Sequence, residues 1–208
     1  MMPPTTFRPA AGVCAAVADQ RALAGTAAAA PDVLATRGSP AWKAAEQLAA
    51  RALLRRLLAA EYGDRTAELP IAARPSGQPY LRQRPDLAIS LSHDGGYVAV
   101  AVGREVAVGI DVQQPVPVAD AVIRRCCGAA GQRELARLAR RQSLAEFARI
   151  WTVQEACVKL TGAGLAGRPW SVPVAVGQWT GRWRGGGWQS LPGAGPFPVS
   201  IAYRQEQS

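Results

Sequence analysis

Two short stretches of this chain carry side chains that could act together on a phosphate: Trp151-Thr152-Val153-Gln154-Glu155-Ala156-Cys157-Val158-Lys159, and before it Gly109-Ile110-Asp111-Val112-Gln113. Upstream of both, Ser92-His93 adds a hydroxyl and an imidazole. Magnesium takes oxygen ligands, keeps several waters and joins one or two carboxylates to substrate phosphates, which makes Asp111 and Glu155 its candidate ligands. Lys159 follows Glu155 by one helical turn, so both would lie at the rim of one helix face. Ser92 and His93 can hydrogen-bond phosphate oxygens, and the imidazole can also move a proton. Together these are the ingredients of a metal-assisted reaction on a phosphate.

Each residue taken singly has a plainer reading. Asp111 could be a turn residue at a strand end, and Glu155 could simply pair with Lys159 on a helix surface. Ser92, His93 and Asp94 are consecutive, so they form no nucleophilic triad by themselves, and no G-x-S-x-G elbow accompanies them. Only their combination favours chemistry.

The elements that must position these groups are partly legible. Gly12 to Val17 reads as a strand. Ser39-Pro40 announces a helix, with Ser39 as N-cap and Pro40 at the first helical position; its apolar periodicity runs to about Tyr62, and Gly63 stops it. Pro75 to Leu81 is turn chemistry and reads as a shaped loop. Leu87, Ile89 and Leu91 alternate with Ala88, Ser90 and Ser92, the signature of a strand with one apolar face and one hydroxyl face. Asp94-Gly95-Gly96 reverses the chain into a second strand, Tyr97 to Val102, and Val106 to Val112 makes a third that ends beside Asp111. Leu135, Leu138 and Ala139 form the apolar face of a helix over Gln132 to Gln142, with Arg133, Arg137, Arg140 and Arg141 as an outer basic stripe. That stripe is either a solvated face or a docking surface for an acidic helix. Ser143-Leu144-Ala145-Glu146 matches a capping box that would open the helix carrying Glu155 and Lys159 up to Gly162. In the tail, Ser171 to Val176 and Pro198 to Tyr203 read as strands, with Trp-rich and Gly-rich turns between them.

At 208 residues the chain can bury a substantial core as one large domain or two tightly packed small ones. No run reaches the roughly 20 apolar residues that a membrane span needs, and the first residues lack the apolar core of a secretion signal, so the expected location is cytoplasmic. Cys14, Cys126, Cys127 and Cys157 show no C-x-x-C spacing and read as reduced thiols; with one histidine in the chain, a zinc site is not expected. A net charge of +9, supplied mainly by arginine, favours an anionic partner. Nucleic acid is one such partner, but no DNA- or RNA-binding module is visible, and the expectation is no nucleic acid.

Taken in order, the motifs resemble the surfactin-synthetase-activating type of 4′-phosphopantetheinyl transferase. Gly77-Gln78-Pro79-Tyr80-Leu81 is similar to that family's G-K-P loop, Ser90-Leu91-Ser92-His93 to its S-x-S-H motif, Gly109 to Gln113 to G-[IV]-D-[IV]-E, and Trp151 to Lys159 to W-x-x-K-E-A-x-x-K. The helix over Lys43 to Arg56 is similar to the basic helix that precedes the G-K-P loop in related enzymes. The resemblance implies an α+β (α/β) fold of two similar halves related by a pseudo-twofold, residues 1–104 and 105–208, with the active site at their junction. It implies transfer of the phosphopantetheine arm of coenzyme A to a serine of an acidic acyl or peptidyl carrier protein by a monomeric enzyme, with release of adenosine 3′,5′-bisphosphate. It further implies Mg²⁺ on Asp111, Gln113 and Glu155; catalysis by Glu155, Lys159 and His93; and coenzyme A contacts from Lys43, Arg51, Gln78, Pro79, Ser92, His93 and Lys159. Three positions depart from the pattern: Gln113 stands where the family has a second acid, and Gln78 and Gln154 stand where it has lysines. Those departures motivate an alternative, a catalytically weakened homologue that binds carrier proteins without turnover.

Overall fold

The computed structural model of the protein describes residues 3–26, 28–162 and 167–205. In chain order its elements are β1 (Thr5–Ala10), β2 (Val13–Asp19), α1 (Ala30–Ala35), α2 (Ala41–Tyr62), α3 (Asp64–Ala67), β3 (Ile71–Ala73), β4 (Pro79–Leu81), β5 (Leu87–Asp94), β6 (Tyr97–Arg104), β7 (Val106–Val112), α4 (Asp120–Ala136), α5 (Arg140–Thr161), β8 (Thr180–Trp183), β9 (Gly186–Ser190) and β10 (Val199–Gln205). The fold is α+β. Strands up to Arg104 form one antiparallel sheet in the order β1-β2-β6-β5-β4-β3, and strands from Val106 onward form a second in the order β7-β10-β9-β8. Left-handed Glu105 (φ 56°) turns the chain from one sheet into the other. The sheets differ in strand number and order.

The two-residue period of β2, β5 and β6 sorts their side chains between two cores. Leu87 and Ile89 of β5, Val98, Val100 and Val102 of β6 and Cys14, Ala16 and Ala18 of β2 face α2, whose Ala50, Leu53, Leu54, Leu57 and Leu58 close the first core. The opposite faces, including Val13, Ala15, Val17, Ala99 and Ala101, pack on Val106, Val108, Ile110 and Val112 of β7 and on Val199 and Ile201 of β10. Beyond the second sheet, Ala107, Trp188 and Ala202 meet Ile150, Val153, Ala156, Cys157 and Leu160 of α5. The resulting layers are α2, first sheet, second sheet, α5.

Several expected elements fall elsewhere. Pro40, not Ser39, is the N-cap of α2, and the Ser39 hydroxyl donates to Gln47 Oε1 (3.3 Å). Pro79–Leu81 is a short strand paired with Ile71–Ala73, not a loop. The helix expected over Gln132 to Gln142 does not exist as one unit: α4 ends at Ala136, and α5 starts at Arg140 because buried Leu135 and half-buried Leu138 anchor a turn between them in a small apolar cluster. Arg133 therefore ends one helix while Arg140 and Arg141 begin the next, so the basic residues ring a corner and form no stripe. Ser143 lies inside α5, with its N–H on Ala139 O (2.9 Å), so it caps nothing. Glu146 reaches forward to Arg149 and to the Gly177 N–H instead of back to a cap. No strand forms over 171–176, because side chains take the carbonyls a neighbouring strand would need: Gln154 donates to Val172 O and Arg149 to Ala175 O. The stretch read as Gly-rich turns is a hairpin, β8–β9.

Candidate active site

The hydroxyl face of β5 is buried, because it is spent on β7. As an edge strand of the second sheet, β7 has N–H groups that need acceptors outside its own ladder. Ser90 Oγ accepts from Ile110 N–H (3.1 Å) and Ser92 Oγ from Val112 N–H (3.3 Å). Ser92 then donates to Asp111 Oδ1 at 2.7 Å. The S-x-S spacing thus stitches the two sheets along one edge, and its second serine aims the carboxylate of Asp111.

From the other side, α5 presents Trp151, Glu155 and Lys159 at successive turns. Gly109 lets the helix lie directly on β7: a Cβ there would sit 2.1 Å from Ala156 O and 2.7 Å from Leu160 N. Lys159 Nζ donates to Asp111 Oδ1 (2.7 Å) and to Ile110 O (3.0 Å), so helix and strand are tied by charge at that contact. Asp111 is only 6% exposed, and a carboxylate so buried requires such partners.

Asp111, Glu155 and Lys159 line one cavity of about 300 Å³ with Ser92, His93, Asp94, Gln113 and Trp151. Burial pushes the Glu155 carboxyl above its usual range, nearby Asp111 pushes it further, and Lys159 draws it back down. Glu155 Oε1 is buried with no hydrogen-bond partner. An oxygen acceptor with nothing to accept, beside a second carboxylate, is chemistry a hard divalent cation would satisfy. Among the described residues no three His, Cys, Asp or Glu side chains converge as a metal cage; the carboxylates lining the cavity are those of Asp94, Asp111 and Glu155, beside the Gln113 amide.

The reversal at Asp94-Gly95-Gly96 brings two further groups to the cavity. Gly95 (φ 56°) and Gly96 (φ 80°) supply the left-handed conformations that a two-residue hairpin turn demands. Glu46 of α2, 9% exposed, holds this turn: Oε1 accepts from Gly96 N–H (3.1 Å) and Oε2 meets His93 Nδ1 (3.0 Å). That contact leaves Nε2 as the ring nitrogen available to a ligand. On the opposite side, Asp94 Oδ2 accepts from the Gln113 side-chain amide (2.7 Å) and the Gln114 N–H (2.6 Å). Sequence reading missed both Glu46 and Asp94 as site residues. Glu46 gave a signal, since it precedes Ala50, Leu53 and Leu57 on the apolar stripe of α2, where an acid must have a partner.

The other expected coenzyme A contacts are not among the residues lining this cavity. Lys43 is exposed one turn before Glu46 on α2. Arg51 pairs with buried Asp32 (3.1 Å), which Arg55 also clamps. Gln78 packs against Gly162 at the C-terminus of α5, and Pro79 opens β4 opposite Ala73. Gln154 points away from the cavity: fully buried, it donates to Cys126 O (2.8 Å) and Val172 O (3.0 Å). The side chain at 154 is therefore committed to the protein interior and not to the cavity.

Residues 107–186, which hold all but the first residue of β7, together with α4, α5 and β8, match the family model of the 4′-phosphopantetheinyl transferase superfamily. The chain is 30% identical over 114 residues to a 4′-phosphopantetheinyl transferase of Bacillus pumilus, covering 55% of this chain and 48% of the relative. It is 26% identical over 114 residues to a 4′-phosphopantetheinyl transferase of Bacillus subtilis, covering 55% and 50%. Against the 4′-phosphopantetheinyl transferase Sfp of Bacillus subtilis strain 168 the identity is 22% over 114 residues, with the same coverage of 55% and 50%. The chain thus spans about half the length of the curated relatives it matches.

Proposed function

We propose, from the premise that the chain belongs to the 4′-phosphopantetheinyl transferase superfamily and is of the Sfp-like type, that it is an enzyme moving the 4′-phosphopantetheine group of coenzyme A to a serine hydroxyl of an apo acyl or peptidyl carrier protein. The observation that carries this reading is the convergence of Asp111, Glu155 and Lys159 on one cavity in which Glu155 Oε1 has no partner. Asp111 and Glu155, with the amide oxygen of Gln113, would hold Mg²⁺. Bound there, it would supply positive charge against the pyrophosphate of coenzyme A.

The rest follows from the chain's own groups. Glu155, through its otherwise unpartnered carboxyl oxygen, takes the proton of the attacking serine. The serine oxygen bonds to the phosphorus carrying pantetheine, and the bond from that phosphorus to the bridging oxygen breaks, so the electron pair leaves with adenosine 3′,5′-bisphosphate. Lys159, fixed between β5 and β7 and still partly exposed, steadies the charge that develops on the leaving group. His93, held by Glu46 through Nδ1, can donate from Nε2 to a phosphate oxygen in the form that carries a proton on both ring nitrogens. Ser92 orients Asp111, since its hydroxyl is already committed at both ends. The charge of +9 suits an acidic carrier protein, and no described helix is long and apolar enough to cross a membrane. We place the reaction in the cytoplasm, with a monomer as the working unit.

Incubation with coenzyme A, Mg²⁺ and a panel of apo carrier proteins should add the mass of one phosphopantetheine to a carrier. Absence of transfer to every carrier, with Mg²⁺ or Mn²⁺, would sink the proposal. The departure at 154 gives a second test. Gln154→Leu strips the carbonyls of Cys126 and Val172 of their donor and is expected to cost about 1–3 kcal/mol of stability. Transfer by the folded variant should be unchanged. Loss of transfer without loss of stability would assign Gln154 to the site.

A further inference from the structure

Asp94 and Gln113 face each other at the mouth of the candidate metal site, and their contact has one chemically sensible polarity. An ionised carboxylate only accepts hydrogen bonds, so the amide end toward Asp94 Oδ2 must be Nε2, at 2.7 Å. The Gln114 N–H fixes the same oxygen from the backbone at 2.6 Å. Parity along β5 explains the placement: Ser90, Ser92 and Asp94 share the face turned to β7, and all three bond to it or to the residues that directly follow it. With Nε2 anchored, Oε1 is the free end of the amide in a cavity that also holds Asp111 and Glu155.

We infer that Asp94 is a positioning residue which turns the Gln113 amide so that Oε1 serves as a neutral oxygen ligand to a divalent cation. The carboxylate the family carries at 113 is thereby moved one step outward to 94. This rests on the metal reading proposed above. It also has an unusual consequence. A glutamate at 113 would have no N–H to give Asp94 Oδ2 and would set two acceptor-only, like-charged groups against each other across the same contact. Asp94 is therefore favourable to the site when residue 113 is glutamine and unfavourable when it is glutamate.

The test titrates Mn²⁺ into the protein with coenzyme A and no carrier protein, reading free Mn²⁺ by electron paramagnetic resonance, with folding of each variant checked by circular dichroism. In the wild-type background, Asp94→Ala is expected to weaken Mn²⁺ binding by about tenfold, the low end for a group supporting a ligand. In the Gln113→Glu background its effect should reverse: Asp94→Ala/Gln113→Glu should bind Mn²⁺ more tightly than Gln113→Glu alone, although it carries one carboxylate fewer. If Asp94→Ala weakens binding in both backgrounds, Asp94 contributes charge and not orientation, and the inference is overturned. The same follows if Asp94→Ala matches the wild type. Failure of the wild type itself to bind Mn²⁺ with coenzyme A removes the metal reading and this inference with it.

Discussion

Replacing Glu155 with glutamine is expected to cut phosphopantetheine transfer by about 10²–10⁴-fold, the range of a lost general base, while raising the melting temperature of the metal-free protein. The two effects share one cause. Burial and the neighbouring Asp111 hold the Glu155 carboxyl above its ordinary value of 4.5, against the pull of Lys159. The folded protein therefore keeps this proton at pH values where the unfolded chain has released it, and stability falls as pH rises from 4.5 through the folded pKa. Glutamine removes that loss, so the gain in melting temperature should vanish below pH 4.5 and be largest above the folded pKa. Mg²⁺ and coenzyme A together should invert the order, raising the melting temperature of the wild type and not of Glu155→Gln. Thermal melts with and without both ligands check this, alongside carrier-protein mass. Transfer within about tenfold of wild type in the variant would remove Glu155 from the chemistry.

How much of the fold is legible in the sequence depends on which elements bury a face with a regular period. Strands β5, β6 and β7 and the helix carrying Glu155 and Lys159 announce themselves because each has a buried face with a regular period. The elements that escaped the reading lack one. β1 contains Pro9 and mixes polar with apolar residues, which an edge strand tolerates and a central strand does not. The hairpin β8–β9 looks like turn chemistry because Gly181 and Gly187 replace side chains on strands. In the fold, neighbouring rings cover those gaps: a Cβ on Gly181 would lie 2.5 Å from the Trp188 ring, and one on Gly187 3.1 Å from that of Tyr203. Pairing between a glycine and an aromatic residue on the adjoining strand leaves no period along either strand taken alone. Within the site the limit was similar. Asp111, Glu155 and Lys159 were legible as types at a spacing, whereas the role of Asp94 depends on a contact across two sheets and that of Glu46 on a contact across the first core.

The same logic makes Gly109 the position where a single methyl group should do most damage. Gly109 sits mid-strand in β7, buried, with the α5 backbone against it. A Cβ would lie 2.1 Å from Ala156 O and 2.7 Å from Leu160 N, and neither obstacle is a flexible side chain that could swing away. The helix must move outward. Overpacking usually costs about 1–3 kcal/mol, and with backbone on both sides Gly109→Ala is expected at about 3 kcal/mol or more. Movement of α5 also breaks the bonds from Lys159 Nζ to Ile110 O and Asp111 Oδ1 and draws Glu155 away from Asp111, so the damage reaches the chemistry. A misplacement of about 1 Å can cost on the order of a hundredfold in rate. Gly109→Ala should therefore lose transfer even at temperatures where melts show it folded, and its Mn²⁺ binding should fall in parallel. By contrast, Ala107→Gly on the same face removes packing without pushing the helix, so it should lower stability and leave the rate of the folded protein intact. Equal losses of rate in the two variants would mean that the close approach of α5 to β7 is a matter of packing alone.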